Sequence, residues 1–180
     1  AQRVIVHGKK DVIGVMGSKP IHLMTAEERG TNLTLNDYFI DLGMKKSEVI
    51  KMVEVGNTVT RERELIEMGN CVNCKSIDNR VAVFILIETL RELKGKNIPY
   101  DFYGVFTVQE EVGIRGAQVA AHHINAEFSF CIDTTIAFDT PGAKPEDSVT
   151  KLGDGVGIKI MDSSAICDYR MVKYMKELAG

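Results

Sequence analysis

The sequence predicts an α/β fold, a mostly parallel sheet with helices on both faces, together with a small β-rich inserted domain. Three observations predict it. From about residue 71 onward, apolar runs of strand length alternate with helix-period segments, the rhythm of parallel sheets covered by helices. Before that point, short alternating segments are separated by turns rich in glycine, lysine and asparagine, as in antiparallel hairpins. Finally, Asp78, Glu110, Glu111 and Asp133 each follow a predicted strand, and open α/β sheets collect their ligands at strand ends. The composition shift near Cys71 divides the chain into a β-rich domain, 1–70, and an α/β domain, 71–180.

In the first domain, Arg3 to His7 and Val12 to Gly17 read as strands joined by a Gly8-Lys9-Lys10-Asp11 turn. Thr25, with Glu28 three residues on, makes a capping box for a short helix. Tyr38 to Leu42 reads as a strand, and Ser47 as the cap of a helix from Glu48 to Val53. Val59, Arg61, Arg63 and Leu65 alternate with polar neighbours, as in an exposed strand. In the second domain, Cys71 to Ile77 reads as a strand, and Asn79 to Leu93 as a long buried helix stopped by Gly95. Strand Phe102 to Val108, helix Gly116 to Ile124 and strand Phe128 to Asp133 follow. After a Pro141-Gly142 turn come the glycine-rich stretch 153–157, strand Ile158 to Met161, and a last amphipathic helix with Met171, Met175 and Leu178 on one stripe.

Bulk properties exclude several classes. The 180 residues carry a net charge of −3 with both signs interspersed, which gives nucleic acid or an anionic membrane nothing to bind. No apolar run reaches the roughly 18 residues needed to span a bilayer, and the first residues lack the pattern of a secretory signal. A cytoplasmic protein is expected. Cys71 and Cys74 form a C-x-x-C. With no second such pair to complete a zinc knuckle, small thiols in a reducing compartment are the simpler reading.

The four acidic positions carry the chemistry. Each has an ordinary structural explanation: Asp78 can cap the helix that follows, Glu110 and Glu111 can be solvated loop acids, and Asp133 can order a turn. Brought to one sheet edge, they form a cluster that repels itself unless cations enter it. Two divalent metals would resolve the repulsion, with Asp78 shared, Glu111 on one and Asp133 on the other. Glu110 would be left to take a proton.

The runs Ser76-Ile77-Asp78-Asn79-Arg80 and Gln109-Glu110-Glu111-Val112-Gly113-Ile114-Arg115-Gly116-Ala117, with Asp133 and then Asp139-Thr140-Pro141-Gly142, resemble the tetrahedral-aminopeptidase family. These are glutamyl- or leucyl-type binuclear metallopeptidases. The loop Gly17-Ser18-Lys19-Pro20-Ile21-His22 also looks like that family's inserted domain. The resemblance covers essentially the whole chain. It implies removal of N-terminal residues from peptides, two metal ions (zinc or cobalt), and Glu110 as general base. Asp78 would be the bridging ligand, and Glu111 and Asp133 ligands to separate ions. It also implies subunits paired through the β-rich domain and assembled from dimers into tetrahedral dodecamers.

The resemblance further implies one histidine ligand per metal. His7 and His22 lie in the β-rich domain, and His122 and His123 fall inside a predicted helix. None matches a ligand position. The expectation is an internal fragment lacking the segments that carry both imidazoles. Two other readings compete with a peptidase: a non-catalytic member or fragment that serves assembly, and a glycosidase using two of the carboxylates. Retaining glycosidases need carboxyls about 5 Å apart flanking a sugar site. Such sites favour aromatic platforms, yet the chain has no tryptophan and 7% aromatic residues.

Overall fold

The computed structural model describes residues 2–180. The chain separates into two compact units, one ending at Ile77 and one running from Asp78 to Gly180.

The first unit is built on a four-stranded sheet. Strands β1 (Gln2–His7) and β2 (Asp11–Ser18) form a hairpin pairing Ile5 with Ile13 and His7 with Asp11. β3 (Tyr38–Asp41) adds to β2, and β4 (Thr58–Arg61) adds to β1, giving the order β3-β2-β1-β4, antiparallel throughout. Alternation along the hairpin puts Val4, Val6 and Val12 on one face, where all three are buried. Each contributes about 1.5–3 kcal/mol by leaving water. Gly14 shares that face, and a Cβ there would stand 2.6 Å from Ile40 Cγ2 and 2.7 Å from Leu42 Cδ2. Glycine is what lets the β3 side chains cover the hairpin. On the opposite face His7 joins two strands and the hairpin end, with Nδ1 2.9 Å from Asp11 Oδ1 and Nε2 2.9 Å from Thr60 Oγ1.

Two short helices serve the loops of this unit. α1 (Ala26–Gly30) opens on the expected capping box: Glu28 N donates to Thr25 Oγ1, and Thr25 N donates to Glu28 Oε2. α2 (Lys46–Met52) begins earlier than the sequence suggested. Ser47 lies inside it and does not cap it. Glu48 instead reaches back to accept from Lys45 N at 3.1 Å. A second, two-stranded sheet pairs β5 (Ile66–Met68) with β6 (Cys71–Asn73), again antiparallel. The expected Cys71 to Ile77 strand is therefore cut to three residues and tied to a partner the sequence did not announce.

The second unit is helical and irregular. α3 (Ile77–Leu93) has non-helical backbone at Asp78 and Asn79, so its regular part starts after them. It stops just before Gly95, whose φ of 79° suits glycine at a helix end. α4 (Arg115–Ile124) and α5 (Tyr169–Ala179) match the predicted helices closely. Asp168 caps α5, accepting from Arg170 N at 2.8 Å and Met171 N at 3.4 Å.

The expected parallel sheet is not formed. Every strand pairing among the described residues is antiparallel. Phe102 to Val108 and Phe128 to Asp133 carry no strand, and Ile158 to Met161 contributes only the bridge Met161 to Ile166. The fold is thus mixed α/β with small antiparallel sheets. The physical reason is that an apolar run records a tendency to be buried, whereas a strand needs a neighbouring backbone to take its N–H and C=O groups. The same limit applies to α3. Its sequence is apolar on every side, as for a helix enclosed by neighbours, yet Phe84 is 61% exposed and Ala82 is its buried residue. Phe102 and Phe106 line an open groove with Ile87 and Leu90 of α3 and with Ile98 beyond it.

Candidate functional site

The four acidic positions all lie in the second unit and not along a sheet edge: Asp78, Glu110 and Glu111 stand at helix starts, and Asp133 in an irregular segment. Asp78 precedes the regular part of α3, and its peptide bond to Asn79 is cis. The helix cap, which the sequence offered to Asp78, belongs to Asn79: Ala82 N donates to Asn79 Oδ1 at 3.1 Å. The other end of the same amide reaches the segment before Thr134. Asn79 Nδ2 donates to Asp133 Oδ1 at 2.7 Å and to Ile132 O at 3.0 Å. Thr134 N adds a second donor to Asp133 Oδ1 at 2.8 Å. The start of α3, next to Asp78, and the Asp133 segment are therefore joined across more than fifty residues of chain.

Glu110 and Glu111 head a tight loop into α4. Gly113 N and Ile114 N both donate to Glu110 O, at 3.1 and 2.9 Å. Arg115 N donates to Gln109 O at 3.2 Å and Gly116 N to Val108 O at 3.0 Å. The loop is held by left-handed residues at both ends, Gln109 at φ 59° and Ile114 at φ 55°. For a β-branched residue such as Ile114 that conformation is strained, and strain of this kind gathers at functional sites. Both glutamates are exposed. Their side chains accept no hydrogen bond and form no ion pair among the described residues.

A cation lies beside the acidic segment. Lys159 Nζ is 2.6 Å from Asp162 Oδ2. The Asp162 carboxylate raises the lysine's pKa, and the Asp133 charge adds a smaller upward push. Asp162 is in turn held well below the usual carboxylate range, first by Lys159 and then by Ser164 and Ala165 N–H groups.

Carboxylate oxygens are suitable donors for divalent ions. A protein-held zinc, however, needs at least three protein donors converging on it. Among the described residues no three His, Cys, Asp or Glu side chains form such a group. The link runs from Asn79 to Asp133, and neither Glu111 nor Asp78 completes a triad with it. His122 and His123 occupy the last turn of α4 and are exposed, and His7 is committed to Asp11 and Thr60. These residues by themselves do not fit a binuclear metal centre.

Asn79 and the Lys159–Asp162 pair were not singled out from the sequence. The asparagine had one usable signal, its place just before a helix, where Asn is a favoured cap. The lysine pair had none, because its proximity to Asp133 depends on the path of the chain.

The M42 glutamyl aminopeptidase family matches residues 1–180, and the chain belongs to that family. A TET aminopeptidase from the marine sediment archaeon Thaumarchaeota archaeon SCGC AB-539-E09 is 34% identical and superposes with a TM-score of 0.89 over 99% of this chain and 52% of that one. PhTET1-12s, solved as a dodecamer, is 27% identical with a TM-score of 0.71, over 99% of this chain and 52% of that one. Glutamyl aminopeptidase of Lactococcus lactis is 30% identical over 96% of this chain and 49% of its own length. The chain spans about half the length of the curated relatives it matches. No helix of the described residues is long and apolar enough to cross a membrane.

Proposed function

We propose that this chain contributes the acidic half of an aminopeptidase that removes N-terminal residues from peptides. The family match across residues 1–180 carries this reading. Glu110 is assigned as the general base. Its exposed carboxylate, free of hydrogen bonds and ion pairs among the described residues, is available to take a proton from the attacking water and pass it to the leaving amine. Asp78, Glu111 and Asp133 are assigned as ligands for the two divalent ions, zinc or cobalt, that such enzymes use. The remaining donors would come from outside these residues, since this set forms no three-donor group. Residues 1–70 are assigned to subunit pairing, and a dodecameric relative supports assembly of this kind.

The test compares wild type with Glu110→Gln on a peptide with a free N-terminus. Loss of a general base lowers turnover about 10²–10⁴-fold, with KM and the oligomer unchanged. Equal turnover in the two proteins would leave assembly as the function of this chain.

A further inference from the structure

We infer that Asn79 is the positioning residue for Asp133, fixing the Asp133 carboxylate relative to the start of α3. The inference rests on the aminopeptidase reading for its catalytic meaning and on geometry alone for the clasp itself.

An asparagine amide offers two donor hydrogens and an acceptor oxygen. Asn79 commits both ends. Nδ2 serves Asp133 Oδ1 and Ile132 O, while Oδ1 takes the N–H of Ala82. One planar group therefore spans a helix start and the irregular segment before Thr134, and it cannot turn without breaking bonds on both sides. With Thr134 N also on Asp133 Oδ1, that oxygen carries two donors, while Oδ2 carries none among the described residues. The carboxylate is thereby held with one oxygen anchored and the other available. Asp78, the neighbour of Asn79 in sequence, is exposed and takes no part in the clasp.

A helix cap alone would explain only the bond to Ala82. The two roles separate in Asn79→Ser, because serine caps helices about as well as asparagine but has no amide to reach Asp133. With the full chain and a peptide substrate, the expected result is a modestly lower melting temperature from the two lost amide hydrogen bonds, KM within about twofold, and kcat per folded molecule lower by roughly 10–100-fold, the usual cost of losing a group that orients a functional side chain. Wild-type kcat in Asn79→Ser would overturn the positioning role.

A second measurement is independent of activity. The side-chain amide of Asn79, followed by ¹⁵N NMR in the full chain, should exchange slowly in wild type and at least about tenfold faster in Asp133→Ala, because one of its two acceptors is removed. Unchanged exchange would overturn the clasp. If wild type cleaves no peptide while this exchange responds as expected, the aminopeptidase reading fails and the clasp stands.

Discussion

Gly116 and Val108 are in backbone contact. Gly116 N donates to Val108 O at 3.0 Å, and a Cβ on Gly116 would stand 2.5 Å from that oxygen and 2.6 Å from Val108 N. The contact closes the loop that carries Glu110 and Glu111. In Gly116→Ala two effects oppose each other. Alanine in a helix gains about 0.8–1 kcal/mol over glycine. Pushing backbone apart to admit a methyl costs typically about 1–3 kcal/mol. The obstacle is the Val108 main chain and not a flexible side chain, so the cost wins. The variant should melt at a lower temperature and lose peptidase turnover as the glutamates move. A melting point at or above wild type would show that the loop yields freely.

The helices were largely legible in the sequence and the sheet was not. The α1 capping box, the Gly95 stop and the amphipathic α5 are local devices whose partners lie within a few residues. Strand pairing is non-local. Val4, Val6 and Val12 alternate within one hairpin and so announced themselves, whereas Phe102 to Val108 looked like a strand only because it is apolar. The candidate site divides the same way. Glu110 and Glu111 stood out as an adjacent pair, but their setting is a strained loop at a helix start, fixed by Gln109, Ile114 and Gly116. The Asn79 to Asp133 bond spans 54 positions, a pairing that no local pattern encodes.

A related contact governs the first unit. The β1–β2 turn docks on the end of α2, where Lys9 N donates to Met52 O at 2.9 Å. A Cβ on Gly8 would collide with the Met52 carbonyl. Gly8→Ala should cost about 1–3 kcal/mol by overpacking, read as a lower urea midpoint. The effect should stay in this unit, so peptidase kcat should follow the folded fraction alone. A kcat loss beyond that fraction would contradict the assignment of the chemistry to the second unit.

The α5 cap predicts an acid response. The Arg170 guanidinium, followed by the Arg170 and Met171 N–H groups, holds the Asp168 carboxyl down to about 2 from an ordinary 3.8. A depressed folded-state pKa adds stability that is complete above the unfolded value and lost as pH falls through the folded one. The gap in urea midpoint between wild type and Asp168→Asn should therefore be steady from neutral pH down to about 5 and close between about 3.8 and 2. It should be small and shrink in high salt, since the pair is exposed. A gap that persists unchanged at pH 2 would assign the effect to shape and not to charge.

Metal removal separates the fold from the chemistry. A ligand that binds only the native state raises apparent stability by mass action, so an ion gripped by several elements of this chain would raise its melting temperature. No three donors converge among the described residues, and Asp133 is already held by Asn79 and Thr134. A chelator should therefore leave the melting temperature of the 180-residue chain unchanged. Peptidase activity of the assembled enzyme, if the proposed function holds, should vanish with the same chelator and return on adding zinc or cobalt. A chelator-induced fall in melting temperature of the 180-residue chain would show that its carboxylates gather around an ion after all, and would refute the statement that they do not fit one by themselves.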